Sequence, residues 1–404
     1  MKFLNISKDS KEFIAEKYRF IQLFVFFLIT MQTQIIWISF GANITLASLY
    51  YSVNEAYIVF LGASFMIFYI PINFFATKSL DQFGLKKGAG IGVYLTSIGG
   101  LVRALAGTNY WICLIGQIIA AIGQPFILNC WTKLATNWFL EQEKTLATGI
   151  GSIAQFIGVI IGMIFPMKSI GVLITMWIYA ILGLGILIIF QILAKEKPKN
   201  PPNEYAIKNI KKPIMIGLKE IIFKNKDFQK LFIIIFIGFG VFNAISTEID
   251  LIFNKIKYSG IDSGVVGALI IFGGMVGAAV ISSLSDKYRK RKIFLILAYS
   301  ICTPIILLLA ILRDVSVIYL FCFILGFMMV SCLPVGLIYA AEITYPNPEE
   351  TSAGILIVSG QISGILFLFI PIDPYLYYVF VLFLIGLLFS FTIHDTSWFE
   401  EKRK

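Results

Sequence analysis

The sequence predicts an all-α membrane protein of 12 transmembrane helices in two pseudo-symmetric six-helix halves, and three observations predict it. Of the 404 residues, 58% are hydrophobic and only 14% charged, with a mean hydropathy of +0.86. A water-soluble globule is nearer half apolar and a quarter charged. The apolar residues come in runs of roughly 20, the length a helix needs to cross about 30 Å of hydrocarbon. Unpaired backbone groups are not tolerated in lipid, and the alternation of a barrel strand is absent, so each run reads as a helix.

In chain order the spans are expected at 20–42, 55–77, 88–106, 110–136, 144–166, 170–194, 230–253, 263–284, 293–312, 316–340, 351–371 and 374–394. A polar stretch precedes the first run, so no cleavable signal peptide is expected. The one long polar connection, 195–229, contains KEKPKNPPNE and further lysines. It reads as a charged, proline-interrupted linker, a solvated tether. The expected organisation is therefore 1–194 as an N-terminal half, 195–229 as a cytoplasmic linker and 230–404 as a C-terminal half.

The net charge of +10 sits in the gaps between apolar runs, so it reads as a topology signal and no nucleic-acid partner is expected. Of the 33 Lys and Arg residues, Lys168, Lys255, Lys257 and Arg313 lie in odd-numbered loops and Arg103 near the outer end of span three; the others lie on the side of the termini. That asymmetry places both termini in the cytoplasm. The expected setting is the plasma membrane, with the lipid bilayer as a partner and the chain as a monomer. Cys113, Cys130, Cys302, Cys322 and Cys332 all fall inside apolar runs and read as small packing residues.

An internal repeat supports the division into halves. A shift of 206 residues superposes Glu143 on Glu349, Thr145 on Thr351, Ala147 on Ala353, Gln155 on Gln361 and Gly158 on Gly364; a shift of 205 brings Asp81 onto Asp286. The two aspartates lie in TKSLDQFGLKK (77–87) and SSLSDKYRKRK (282–292). An acid followed by a basic cluster can pin neighbouring helix ends in one state and release them in another. Asp81, Lys86, Asp286, Arg289, Arg291 and Glu342, the last at the inner end of span ten, are the candidates for such gating.

Polar groups inside hydrocarbon are costly and mark function by default. Near mid-depth stand Gln124 on span four, Asn243 on span seven and Gln361 on span eleven; Trp37 lies somewhat outward of the middle of span one, with Gln32 and Gln34 within about a turn of it. The structural alternative for the amides is a helix-to-helix bond worth about 0.6–2 kcal/mol, and for Trp37 an interfacial anchor. Glu248 and Asp250, near the outer end of span seven, are expected at the water interface, where ionisation is inexpensive. Gly149, Gly158 and Gly162 with Pro166 on span five, and Gly267, Gly273, Gly274 and Gly277 on span eight, are expected to allow close approach and bending.

The only histidine is His394, and no Walker motif, metal-ligand cluster or catalytic constellation is visible. ATP-driven pumping and enzymatic chemistry are thus not expected, nor is any cofactor. Gradient-driven movement of a small solute is the simplest remaining reading. A carrier of an organic anion or neutral metabolite, with or without proton coupling, and a non-transporting sensor or scaffold stay open as alternatives.

The segments IIWISFGANI (35–44), MIFYIP (66–71), LDQFGLKK (80–87), GQPFILNCWTKLATNWF (123–139), IGSIAQFIGVIIG (150–162) and AAEITYPNPEETSAGILIVSGQISGIL (340–366) hold their order over nearly the whole chain. Together they resemble the major facilitator superfamily and, within it, the feline leukaemia virus subgroup C receptor-related family of solute carriers. The resemblance implies a uniporter-like carrier with alternating access, moving choline or ethanolamine, with haem also proposed. It implies a cavity that holds an amine between aromatic rings beside glutamine side chains. Trp37 matches the cage tryptophan, and Gln124 and Gln361 the two glutamines. An aromatic face attracts a cation by about 0.5–2 kcal/mol. Span seven departs from the pattern. In GVFNAIST, Asn243 takes the place of a cage tyrosine and Phe242 adjoins it, so either Phe242 turns into the cage or the cage has one wall fewer. Thr77 and Ser282 replace the first glycine of the superfamily's loop signature, and Arg289 the second glycine of the later copy.

Overall fold

The computed structural model describes residues 16–140, 143–165, 167–200, 218–255, 262–312, 314–345 and 349–394. Pro166, Lys257, Arg313, residues 201–217 of the linker and 346–348 of the last matching segment lie outside them.

Helices account for most of these residues, joined by short turns. Helix α1 (Arg19–Ile38) is span one and is followed by the short α2 (Ile44–Tyr51). Helix α3 (Glu55–Leu105) holds spans two and three, divided at Gly84. Span four is α4 (Tyr110–Leu128) continued by α5 (Cys130–Trp138), and span five is α6 (Lys144–Ile164). A single turn, α7 (Met167–Ile170), leads to span six, α8 (Val172–Leu193). The short α9 (Leu218–Lys224) and the first turn of α10 (Lys226–Lys255), which is span seven, fall in the stretch read as linker. Spans eight to twelve are α11 (Ser263–Tyr288), α12 (Arg291–Ile311), α13 (Val315–Thr344), α14 (Glu349–Phe367) and α15 (Tyr375–Thr392). Among the described residues, ten helices are long and apolar enough to cross a membrane, and Thr351–Phe367 is a shorter apolar one. Counting Glu55–Leu105 as two crossings gives the 12 expected spans.

Local chemistry explains the helix ends. At the side away from the termini, spans two, four, eight and ten begin on Asn54, Asn109, Asp262 and Asp314. Each side chain accepts from a backbone N–H of its own first turn, satisfying donors that a helix start leaves unpaired. The four caps occupy corresponding places in the two halves, a repeat signal beyond those read from the sequence. Span one ends at Ile38 rather than 42, and residues 39–43 form an irregular turn containing Gly41.

The turn between spans two and three depends on Gly84, with φ +88°. Glu196, just past span six, sits over it: its carboxylate accepts from the N–H of Leu85 at 2.6 Å and of Lys86 at 2.7 Å. A carboxylate at this end of span three also complements the helix dipole. Lys86 Nζ donates to the Gln191 carbonyl at 3.2 Å, fastening span three to span six.

The largest buried apolar cluster crosses between the halves. It joins Trp37, Phe65, Ala120 and Met163 to Val241, Ala244 and many others of the second half. Outward-facing Phe74, Phe75, Ile181, Ile192 and Leu388 stay exposed, as a lipid-facing surface requires.

Candidate functional site

The close inter-half contacts gather at the side away from the termini, called here the far side. They are made by span ends carrying little side chain. The main-chain N–H of Asp250 on span seven donates to the Gly41 carbonyl at 3.2 Å. The Asp250 carboxylate in turn accepts from the Thr45 N–H at 2.9 Å and from the Ser263 hydroxyl at 3.0 Å. Asn43, the residue before α2, makes no side-chain cap bond; a carboxylate from the opposite half does that work. A methyl group on Gly41 would lie 2.8 Å from the Ser246 carbonyl oxygen, and one on Gly62 2.7 Å from Thr247 Cγ2. Along the lateral edges Met163 packs against Gly264 and Gly267, and Met66 against Gly364. Spans one, two and five thus meet spans seven, eight and eleven in direct contact, and the far side is closed.

At the opposite side the described polar links run within each half. Arg19 pairs with Glu143 at 2.9 Å and Lys133 with Asp81 at 3.9 Å. In the second half Arg291 donates to Asp286 at 2.7 Å, to Ser285 at 3.0 Å and to Glu342 at 3.0 and 3.1 Å. Two of the expected gating residues, Asp286 and Glu342, are therefore gathered around the guanidinium of a third, Arg291. Arg289 instead closes span eight as its left-handed cap, with φ +51°. The halves solve one problem with different charges: a lysine of span four meets the first aspartate, while an arginine of span nine bridges the second aspartate to an acid of span ten.

Of the solute-handling candidates, Trp37 is 9% exposed and its indole N–H has no hydrogen-bond acceptor. It belongs to the cluster that crosses the halves. Gln124 is buried on span four, one turn beyond Ala120 and Ala121 of that cluster. Asn243 is buried, and its Nδ2 donates to the Gly360 carbonyl of span eleven at 3.2 Å. Its neighbour Gln361 is partly exposed. Asn243 thus ties span seven to span eleven at the residue before Gln361. Phe242 stacks on Phe239 along span seven, with centroids 6.3 Å apart and rings 19° from parallel. A cavity of about 530 Å³ lined by Leu46, Tyr50, Ile170 and Ile174 opens beside α2, and none of these candidates lines it.

Two expectations are corrected here. Glu248 and Asp250 are not at a water interface: they are 4% and 1% exposed, because the end of span seven is wrapped by neighbouring helices. Gly149 serves no close approach, since nothing would lie within 4 Å of an added methyl group. Gly158 does fit its expected role, lying against the Met31 carbonyl and Gln34 of span one.

Sequence reasoning counted Arg103 only as a topology charge, yet it is 1% exposed. Its guanidinium donates to the Ile36 carbonyl at 3.2 Å and the Ser39 hydroxyl at 2.6 Å, and lies 4.9 Å from the centre of the Phe40 ring. It caps the end of span one, where a positive charge opposes the helix dipole, one residue before Trp37. A charged residue within an apolar run was the signal available.

A family model described as Major Facilitator Superfamily matches residues 22–368. The chain belongs to this superfamily. It is 28% identical over 379 residues to solute carrier family 49 member A3 of Xenopus tropicalis, covering 89% of this chain and 78% of that one. To choline/ethanolamine transporter FLVCR1 of Felis catus it is 28% identical over 372 residues, covering 86% of this chain and 66% of that one. Among solved structures it superposes on a D-xylose-proton symporter with a TM-score of 0.74 at 13% identity, covering 94% and 99% of the two chains. The superfamily member is a transporter, not an enzyme.

Proposed function

We propose that this chain moves a choline-like or other small amine by alternating access and facilitated diffusion, with Trp37, Gln124, Phe242, Asn243 and Gln361 around the solute. The observation that carries the reading is Trp37. It is a buried ring with an unused N–H, on the helix that meets the far-side seam. Its face would attract a quaternary or primary ammonium, and its N–H would meet the hydroxyl oxygen of an amino alcohol. The similarity to choline/ethanolamine transporters supports the same solute class.

The halves on this reading are 1–194 and 230–404, joined by 195–229. The Lys/Arg asymmetry supports cytoplasmic termini, so the far side is the outer side and the closed seam belongs to an inward-facing state. Asp81, Lys86, Asp286, Arg289, Arg291 and Glu342 tie the cytoplasmic helix ends and rearrange as that face closes. A plasma-membrane monomer completes the proposal.

Uptake of labelled choline and ethanolamine into liposomes, with and without a pH gradient, tests it. Saturable uptake that does not need the gradient is expected. Uptake competed by organic anions but not by quaternary amines would replace the amine with the second reading, a carrier of another metabolite. The bond from Asn243 to Gly360, made where relatives of the resembled family carry a cage tyrosine, is the observation that keeps that reading in view.

A further inference from the structure

Glu248 stands where span seven is interrupted, with φ −110° and ψ 17° between helical residues. Two residues on is Asp250, the group that clasps Thr45 across the seam and is held on its own side by Ser263. Glu248 itself takes no part in that clasp. Its side chain is 4% exposed, and Oε2 has no hydrogen-bond partner. Facing it from span twelve is Tyr375, fully buried, with a hydroxyl that also lacks a partner and lies within electrostatic reach.

Among the described residues, the other ionisable groups of this end do not neutralise it. Asp262, opening span eight, accepts from the N–H groups of Gly264 and Val265, and Asp314, opening span ten, from that of Val317. Glu55, opening span two, lies 3.4 Å from the Thr45 hydroxyl. Tyr51 of α2 packs against Phe40, and span eleven has no ionisable residue between 351 and 371. Arg103, the buried cation of this end, is committed to the close of span one. A bare carboxylate buried this deeply without a cation costs several kcal/mol. One carboxylate and one phenol are too few oxygens for a metal cation, which takes six or more. The proton is the cation that fits.

We propose that Glu248 is a proton-binding site that controls far-side opening. The acid form is sealed in while the far side is closed. As the seam parts, the segment beyond the interruption moves with Asp250, water reaches Glu248, and the proton leaves to the far side. It returns from that side when the seam closes, so no proton crosses the membrane. The solute still runs down its own gradient, while far-side pH sets how often the carrier opens. This rests on the alternating-access reading above, and not on the identity of the solute.

Infrared spectroscopy of the full chain in lipid nanodiscs at neutral pH tests the protonation directly. A carboxylic-acid carbonyl band is expected in the wild type, lost in Glu248→Gln and kept, shifted, in Glu248→Asp. Spin labels at Leu49 and Val265, exposed at the far side of opposite halves, then report opening as pH rises from mildly acidic to mildly alkaline. The separated population is expected to grow several-fold in the wild type and to stay flat in Glu248→Gln. An unchanged band in Glu248→Gln, an unchanged pH profile, or opening governed by sodium instead of pH would overturn the proposal. If both signatures appear but no amine is taken up, the solute reading falls and the proton site stands.

Discussion

The carboxylate of Asp250 on span seven accepts a hydrogen bond from the main-chain N–H of Thr45 at 2.9 Å, so an acid of one half caps a helix of the other. A bond of this kind to a charged group contributes about 1.5–3 kcal/mol. Asp250→Ala should therefore weaken the closed far side by roughly tenfold or more in population. Spin-label distances between Leu49 and Val265 provide the check: a longer-distance population should rise, and an unaltered distribution would remove Asp250 from the seam's energetics.

Gly264 tests the same seam by steric means. A methyl group there would meet the Met163 carbonyl oxygen at 2.5 Å, and backbone cannot move aside as a side-chain tip can. Gly264→Ala should push the far side open, measured with the same label pair. Gly149→Ala is the control, since an added methyl meets nothing within 4 Å. It should leave the distances alone while gaining up to about 1 kcal/mol of helix propensity.

For the solute, Trp37→Phe separates binding from folding. Phenylalanine keeps an aromatic face but loses ring area and the N–H, so the apparent KM for choline uptake should rise several-fold with folding retained. Trp37→Ala should abolish saturable uptake. It also empties a buried volume, at about 3–5 kcal/mol, so thermal unfolding must be measured alongside. Wild-type kinetics in Trp37→Phe would take the ring out of the solute path.

Arg103 should matter for stability first. Arg103→Ala removes bonds to Ile36 and Ser39, each worth about 1.5–3 kcal/mol when the donor is charged. A clear fall in unfolding temperature is expected, with Arg103→Lys intermediate because one ammonium cannot reproduce the fork of a guanidinium. An unchanged temperature in Arg103→Ala would mean that the turn after Ile38 holds without it.

The spans were legible because lipid forces one solution on every long apolar run, and the halves because Asp81 and Asp286 survive as copies. Much of the site was not. Distance along a helix does not say which way a side chain faces, so Glu248 and Asp250 read as interfacial although neighbouring helices enclose them. The end of span one at Ile38 was hidden because ISFGA is as apolar as the helix before it. The group that bonds its last turn is a guanidinium supplied from span three. Glu196 looked like one more charge in a tether, since its bonds to Leu85 and Lys86 join residues more than a hundred apart.

The clasp between the halves has one further property. Its donor at position 45 belongs to the main chain, so every amino acid except proline can supply it, whereas its acceptor is one particular side chain. The two ends of this bond are consequently under unequal hereditary constraint. In a saturation library scored for growth on the transported solute, position 45 should accept many replacements while position 250 accepts few. A seam written this way can drift along one edge for long periods while its closing geometry persists.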